Sequence, residues 1–287
     1  MKIGFSFLII ALLSVAVPVL AQSPPTLRIV TETPGLPSEL FYGNIKVKPV
    51  RLRPGTNQVI TINDTDFFVQ QQYIDFLGRM PDSTGFANWN ATLNNCPNGG
   101  LGEFDNPQCD RVHVSAGFYL SLEFQGRGYW AYRFYDAGLG RRPLYSEFIP
   151  DMQKVGGAQS PDQEIVSKNQ YMNDFVNKPE FKAIYDGLSN QGYVDKLEQT
   201  TGVTISSKAT LVNALNAGTQ TRAQVLRTVM ESQPVFDKFF NRGFVTMQYF
   251  GYLRRDPDTI GFKNWVDTLN ADPSNFRHMI FGFIYST

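Results

Sequence analysis

From Phe68 onward, apolar side chains recur at helical spacing, and the residues between them carry the punctuation. Val69, Tyr73 and Phe76 fall at i, i+4 and i+7, one face of a helix. Gly78 and Pro81 end it, the glycine as a left-handed cap and the proline as a residue that cannot continue. Asp82 then suits the N-cap of a second helix, whose Phe86, Trp89 and Leu93 again share a face. A shift of 176 positions finds the same scheme in Val245, Tyr249 and Tyr252, then Pro257, Asp258, Phe262, Trp265 and Leu269. Between Phe68–Asn94 and Phe244–Asn270, 15 of 27 positions are identical. The pattern predicts a helical hairpin with a Pro-Asp corner, present twice.

A third helix follows in both copies, as HVSAGFYLS from His113 and HMIFGFIYS from His278. The shift between these is 165 rather than 176, so the first copy holds 11 extra residues. That excursion is rich in Asn, Gly and Pro and is bracketed by Cys96 and Cys109. Two weaker copies lie between. WAYRFYDAGLGRRP from Trp130 repeats Tyr73, Leu77-Gly78-Arg79 and Pro81 as Tyr135, Leu139-Gly140-Arg141 and Pro143. The stretch from Tyr193 to Phe236 has lost the arginine and proline but keeps a second- and third-helix pattern. A closing phrase recurs as SLEF at Ser121 and KPEF at Lys178, and its next occurrence would fall just past Thr287. One hairpin cannot bury its own apolar face, whereas related copies packed together share a core. The expectation is an all-α fold: degenerate helical-hairpin repeats packed into one array over 65–287, about four copies with the last incomplete. Ser160-Pro161-Asp162-Gln163 predicts a capped helix start inside it.

Residues 22–64 differ, with β-like runs LRIVT, IKVKPVRLR and QVITI that predict a small β-rich N-terminal extension. Its Lys46, Lys48, Arg51 and Arg53 alternate along the chain. They fit either protection of an edge strand or contact with an anionic surface. Ahead of it, Lys2 precedes an apolar run from Ile3 to Leu20 and small residues at Val19 and Ala21. That is the pattern of a signal peptide over 1–21, with export expected. No later run is long and apolar enough to span a bilayer. Charge is balanced, 26 basic against 26 acidic residues, without the clustered positive excess of nucleic-acid binders. In an exported chain the pair Cys96–Cys109 is expected to form a disulfide. A reactive thiol is the alternative, and no second Cys/His pair lies nearby to complete a metal site.

Three stretches carry a resemblance: FFVQQQYIDFLGRMPDSTGFANW, RVHVSAGFYLSLEFQGRGY and FNRGFVTMQYFGYLRRDPDTIGFKNW. Through them the chain, from about Asp66 to its end, resembles a bacterial domain-of-unknown-function family, number 4214, found in exported and surface proteins. That family is in turn similar to the all-helical linker domains of phycobilisome rods, which are scaffolds. The resemblance implies a helical fold and an exported setting, and it assigns no reaction and no catalytic residue.

The sequence carries no GxSxG, HExxH, Walker-type loop or paired CxxC, and no cofactor motif. His113 and His278 occupy equivalent places, which suits structure better than catalysis. Asp256 and Asp258 imitate a DxD metal motif, but the first copy has Met80 in place of Asp256. Asn63, Asp64 and Asp66, and the loop acids Glu103 and Asp105, offer oxygen ligands without the Gly and final Glu of an EF-hand loop. Trp89 and Trp265 lie on the apolar stripes, so core packing is expected over sugar stacking. Arg79, Arg141 and Arg255 share the corner after the first helix in three copies. They are the candidate ligand contacts, either capping the helix's last carbonyls and the following Asp or reading acidic glycans. The expected function is that of an exported non-catalytic interaction or scaffold protein of the bacterial surface or matrix, with an unidentified protein or a surface glycan as partner. A glycan-binding module is the alternative, and a carboxylate-dependent cell-wall hydrolase is third.

Overall fold

A computed structural model describes residues 61–286, apart from 103–105 and 159, and the backbone of short strands before them. The expected signal peptide over 1–21 lies outside the described residues, as do the loop acids Glu103 and Asp105 and the expected β-rich extension as a unit. Within that extension the described backbone pairs Leu27–Val30 antiparallel with Glu39–Tyr42, and Arg51–Leu52 with Val59–Ile60. From residue 61 on, every regular element among the described residues is helical.

Copy one comprises α1 (Thr65–Gln72), a π-helical turn (Tyr73–Leu77), α2 (Ser83–Asn94), α3 (Arg111–Tyr119) and α4 (Leu122–Gly126). Copy two comprises α5 (Gly128–Arg133), a π-helical turn (Phe134–Leu139), α6 (Tyr145–Gly156), α7 (Pro161–Val176) and α8 (Pro179–Tyr185). Copy three is plainer, with α9 (Asn190–Thr201), α10 (Lys208–Asn216) and α11 (Arg222–Met230). Copy four has α12 (Gln233–Gln248), a π-helical turn (Tyr249–Leu253), α13 (Thr259–Ala271) and α14 (Phe276–Ile284).

The predicted corners form. Asp82 accepts the Gly85 N–H at 2.8 Å and Asp258 accepts the Gly261 N–H at 2.7 Å, each satisfying a helix-start donor. Ser160 does the same for Gln163 at 3.2 Å. The left-handed cap is Gly78 (φ 67°) in copy one and Gly140 (φ 72°) in copy two. In copy four it is Arg254, at φ 51°, where a side chain is normally disfavoured. Arg254 there reaches Asp75 of copy one at 3.3 Å, a contact glycine could not make. The π-helical turns ahead of the caps were not anticipated. The 3.6-residue pattern does not reveal where one extra residue is accommodated.

Cys96 and Cys109 form the expected disulfide, with Cα atoms 5.5 Å apart across a separation of 13 residues. It ties the end of α2 to the start of α3, where Asp110 accepts the His113 N–H at 2.7 Å.

The copies share one continuous core running from Phe68 to Ile284. They do not form an open line, in which each unit would touch only its sequence neighbours. Copy four closes onto copy one: α14 packs on α3, and Phe76 and Tyr252 from the two π-helical turns meet at 6.2 Å between ring centroids. Arg277 holds the buried Asp110 at 2.5 Å across the same seam. Meanwhile α12 crosses α5 closely enough that a Cβ on Gly243 would come within 2.9 Å of the Tyr129 ring. Beside it Tyr119 stacks on Phe244 with centroids 3.9 Å apart, and Arg242 grips the buried Asp136 at 2.6 and 2.7 Å. The centre of the molecule is an aromatic junction of copies one, two and four.

Candidate functional site

The recurring chemistry sits at the corner after each first helix. In copies one, two and four the π-helical turn begins at or next to a tyrosine, the cap follows, and then an arginine. The guanidinium lies over the tyrosine ring in all three: Arg79 at 5.0 Å from Tyr73, Arg141 at 5.7 Å from Tyr135, and Arg255 at 5.1 Å from Tyr249. Its Nη1 donates to the carbonyl of the next residue each time, Met80 at 3.0 Å, Arg142 at 3.1 Å and Asp256 at 3.1 Å. So these arginines hold the loop's own carbonyl, one residue along, rather than the last carbonyls of the helix. Arg79 and Arg255 also approach the capping Asp82 and Asp258 at 3.5 and 3.7 Å.

The remaining edge of the guanidinium is what distinguishes the copies. Arg79 donates from Nε and Nη2 to the two oxygens of Glu123 at 2.6 and 2.8 Å, a bidentate pair. Arg141 does the same to Glu180 at 2.8 and 2.6 Å. Both glutamates belong to the closing phrases SLEF and KPEF. Arg141 also binds Glu147, so two carboxylates share one cation. Hydrogen bonds from Arg141 hold Glu147 and Glu180 below the usual carboxylate range. The Glu123 bond raises the Arg79 guanidinium above its usual value.

The tyrosine hydroxyls tuck under the second helix. The Tyr135 hydroxyl donates to Asp151 at 2.7 Å, and that of Tyr249 to Asp258 at 3.1 Å. Burial first, and the Asp258 bond second, push the Tyr249 hydroxyl up to about 12. These are structural phenols, far from ionising near neutral pH.

Other predicted residues find structural employment. The two acids of the DxD serve different helices: Asp258 caps α13, whereas Asp256 accepts the Tyr145 N–H at 2.6 Å where α6 begins. Among the described residues no three of His, Cys, Asp and Glu converge to hold a metal ion. His113 and His278 are each the third residue of their helix, α3 and α14. His113 lies half-buried beside Trp89, at 6.2 Å between centroids, and His278 is exposed. The glycine one turn on receives a tryptophan from the preceding helix. Trp89 lies against Gly117, and Trp265 stands off Gly282 with 3.7 Å to where a Cβ would be. Both indoles are half-buried and packed against the core, rather than enclosed in it.

Between copies one and two lies an open depression of about 500 Å³, lined by Arg79, Glu123, Arg127 and Glu164 among others. Its charges are spent on one another: Arg127 meets Glu123 at 2.9 Å and Glu164 at 3.0 Å, and Lys168 meets Glu164 at 2.7 Å.

The corner with its left-handed residue, stacked arginine and capped Pro-Asp helix start recurs at the C-terminal end, in copy four. Residues 235–287 match a family model, Domain of unknown function (DUF4214). The DUF4214 match covers nearly all of copy four, including Tyr249, Arg255, Asp258 and Trp265. Copy one, with 15 of 27 positions in common, builds the same corner outside the matched residues. No curated protein and no solved structure matches the chain. Among the described residues, no helix is long and apolar enough to cross a membrane.

The roles of Glu123 and Glu180 escaped the sequence reading, although the closing phrase that contains them did not. The signal was there: a glutamate directly before the recurrent phenylalanine, in two copies that also keep the corner arginine.

Proposed function

We propose that the protein is an exported, non-catalytic interaction or scaffold protein of the bacterial surface or its matrix. The observation that carries this reading is the fate of the recurring charged residues. In copies one and two they neutralise one another in bidentate pairs at element junctions, and in the depression that Arg79 and Glu123 border the neighbouring charges of Arg127 and Glu164 are paired as well. The signal-peptide pattern of residues 1–21 supports export. The glycan-binding alternative draws support from the more exposed Arg255 and from Trp265, which is half-buried on the helix that follows.

Incubation of the purified protein with peptidoglycan and with soluble acidic glycans tests the proposal. The expected result is no release of reducing ends. Turnover that disappears on Glu164→Gln or Glu123→Gln would replace it with the hydrolase reading. Fractionation of the native protein should place it with the envelope or the medium.

A further inference from the structure

Copy one encloses a small cavity of about 240 Å³ beneath its corner, between α2, α3 and α4. Tyr73, Trp89 and Phe118 form an aromatic wall, and Arg79, Asp82 and Glu123 supply the charge opposite. Phe118 lies 4.7 Å from Tyr73, edge to face, and 5.5 Å from Trp89 between ring centroids. Gly117 lets the indole lie on α3, since a Cβ there would come within 2.7 Å of its Cη2. The indole is still only half-buried, so part of it stays open.

Tyr73 sets this corner apart. Its counterparts in copies two and four, Tyr135 and Tyr249, donate their hydroxyls to Asp151 and Asp258. Tyr73 is only 4% exposed and borders the cavity, yet its hydroxyl has no hydrogen-bond partner among the described residues. A hydroxyl so placed costs free energy that a ligand can return. Burial first, and the Asp82 carboxylate second, push it up, so it stays a protonated donor. The charged side is held in position. Glu123 accepts from Arg79 at 2.6 and 2.8 Å and from Arg127 at 2.9 Å, while Asp82 accepts the Gly85 N–H at 2.8 Å. Each carboxylate keeps lone-pair capacity for a further donor.

From this we infer that the copy-one cavity is a binding site for a neutral saccharide. One sugar ring rests on Trp89 and bonds the Tyr73 hydroxyl through a ring oxygen. The inference rests on reading the chain as an interaction protein, and it takes a surface glycan as the partner. A sugar ring offers C–H groups on its face and hydroxyls around its edge, which suits an indole flanked by fixed polar groups. Acidic sugars are disfavoured, because the lining sets two carboxylates against one guanidinium that is already bonded to Glu123. A cationic ligand meets a different obstacle: Arg79 already covers the Tyr73 ring at 5.0 Å. The adjoining depression of about 500 Å³ shares Arg79, Asp82 and Glu123 with the cavity, so a chain can continue past the bound ring.

The test is an array of neutral and uronic-acid oligosaccharides probed with the labelled full chain, then calorimetric titration of the strongest neutral sugar. Saturable binding of neutral sugars is expected, at least tenfold tighter than of acidic ones of equal length. Tyr73→Phe, which removes one oxygen, should weaken it fivefold or more, and Trp89→Leu tenfold or more. Tyr249→Phe, the same change in copy four, should leave it unchanged. Melting curves show which variants are folded, and Tyr73→Phe decides alone should Trp89→Leu not fold. No binding of any neutral sugar, binding indifferent to the Tyr73 hydroxyl, or a preference for acidic sugars overturns the site. Each of those outcomes leaves an interaction protein standing, whereas turnover of a bound sugar would remove that wider reading as well.

Discussion

Gln248, at the end of α12, is fully enclosed, and among the described residues neither its amide oxygen nor its nitrogen has a hydrogen-bond partner. Its equivalent in copy one, Gln72, accepts the Tyr252 hydroxyl at 3.1 Å. The equivalent of Tyr252 is Phe76, which has no hydroxyl to return the favour. Unsatisfied buried polar atoms cost on the order of 1–3 kcal/mol. Gln248→Met should therefore stabilise the protein by about 1 kcal/mol, measured by urea unfolding. A loss of stability would mean that the amide has a partner in solution. Arg141 leads to a pH prediction. Glu147 and Glu180 have lowered folded-state values, with the Arg141 bonds as the first cause. Such groups contribute stability that is present above their unfolded values and is lost as pH falls through the lowered ones. Melting temperature should fall as pH drops below about 4.5, the ordinary carboxylate range. In Arg141→Gln the fall should be shallower, because the two carboxylates are no longer held down. Parallel pH curves would separate Arg141 from acid sensitivity.

At the scale of elements, the second helix of copies one and four starts over a buried tyrosine. A Cβ at Gly261 would lie 2.2 Å from the Tyr249 hydroxyl, and one at Gly85 would lie 2.1 Å from that of Tyr73. Both tyrosines are enclosed and cannot swing clear. Gly261→Ala should destabilise by about 1–3 kcal/mol, the usual range for overpacking. In a Tyr249→Phe background the same change should be near neutral, since alanine is otherwise the better helix former by about 1 kcal/mol. The double-mutant cycle reads this directly, and additive effects would show that the hydroxyl is not what demands glycine. In copies one and four the corner joins π-helical turn, tyrosine, arginine, aspartate cap and glycine, whereas copy two keeps the turn, the tyrosine and the arginine with Leu144 at the helix start. Copy three, having lost the arginine and the Pro-Asp corner, also lacks the π-helical turn.

For the whole molecule, closure of copy four onto copy one changes how the repeats unfold. An open stack behaves as a chain of nearest neighbours and frays from its ends. Here α14 covers α3, and the first and last copies share the Phe76–Tyr252 contact and the Arg277–Asp110 pair. Urea unfolding should appear as a single transition, with far-UV circular dichroism and tryptophan fluorescence coinciding. Arg277→Ala should lower the midpoint of that one transition, because it leaves the buried Asp110 without its cross-seam partner. Two resolved transitions, with only one shifted, would show the copies to be independent.

Much of this architecture was legible along the chain, for reasons that are local. Helix faces follow from the 3.6-residue period, the corners from Gly, Pro and Asp acting on their own backbone, and the disulfide from an isolated cysteine pair bracketing a loop. Identity between Phe68–Asn94 and Phe244–Asn270 was enough to equate Tyr73 with Tyr249 and Arg79 with Arg255. What the sequence could not specify depends on separations that no local period records. Arg79 finds Glu123 across 44 residues and Arg242 finds Asp136 across 106. Such partners are chosen by how the copies pack. The same holds for the assignment of Asp256 to one helix start and Asp258 to another. Local backbone chemistry wrote the elements, and the packing of the copies on one another decided which charges meet.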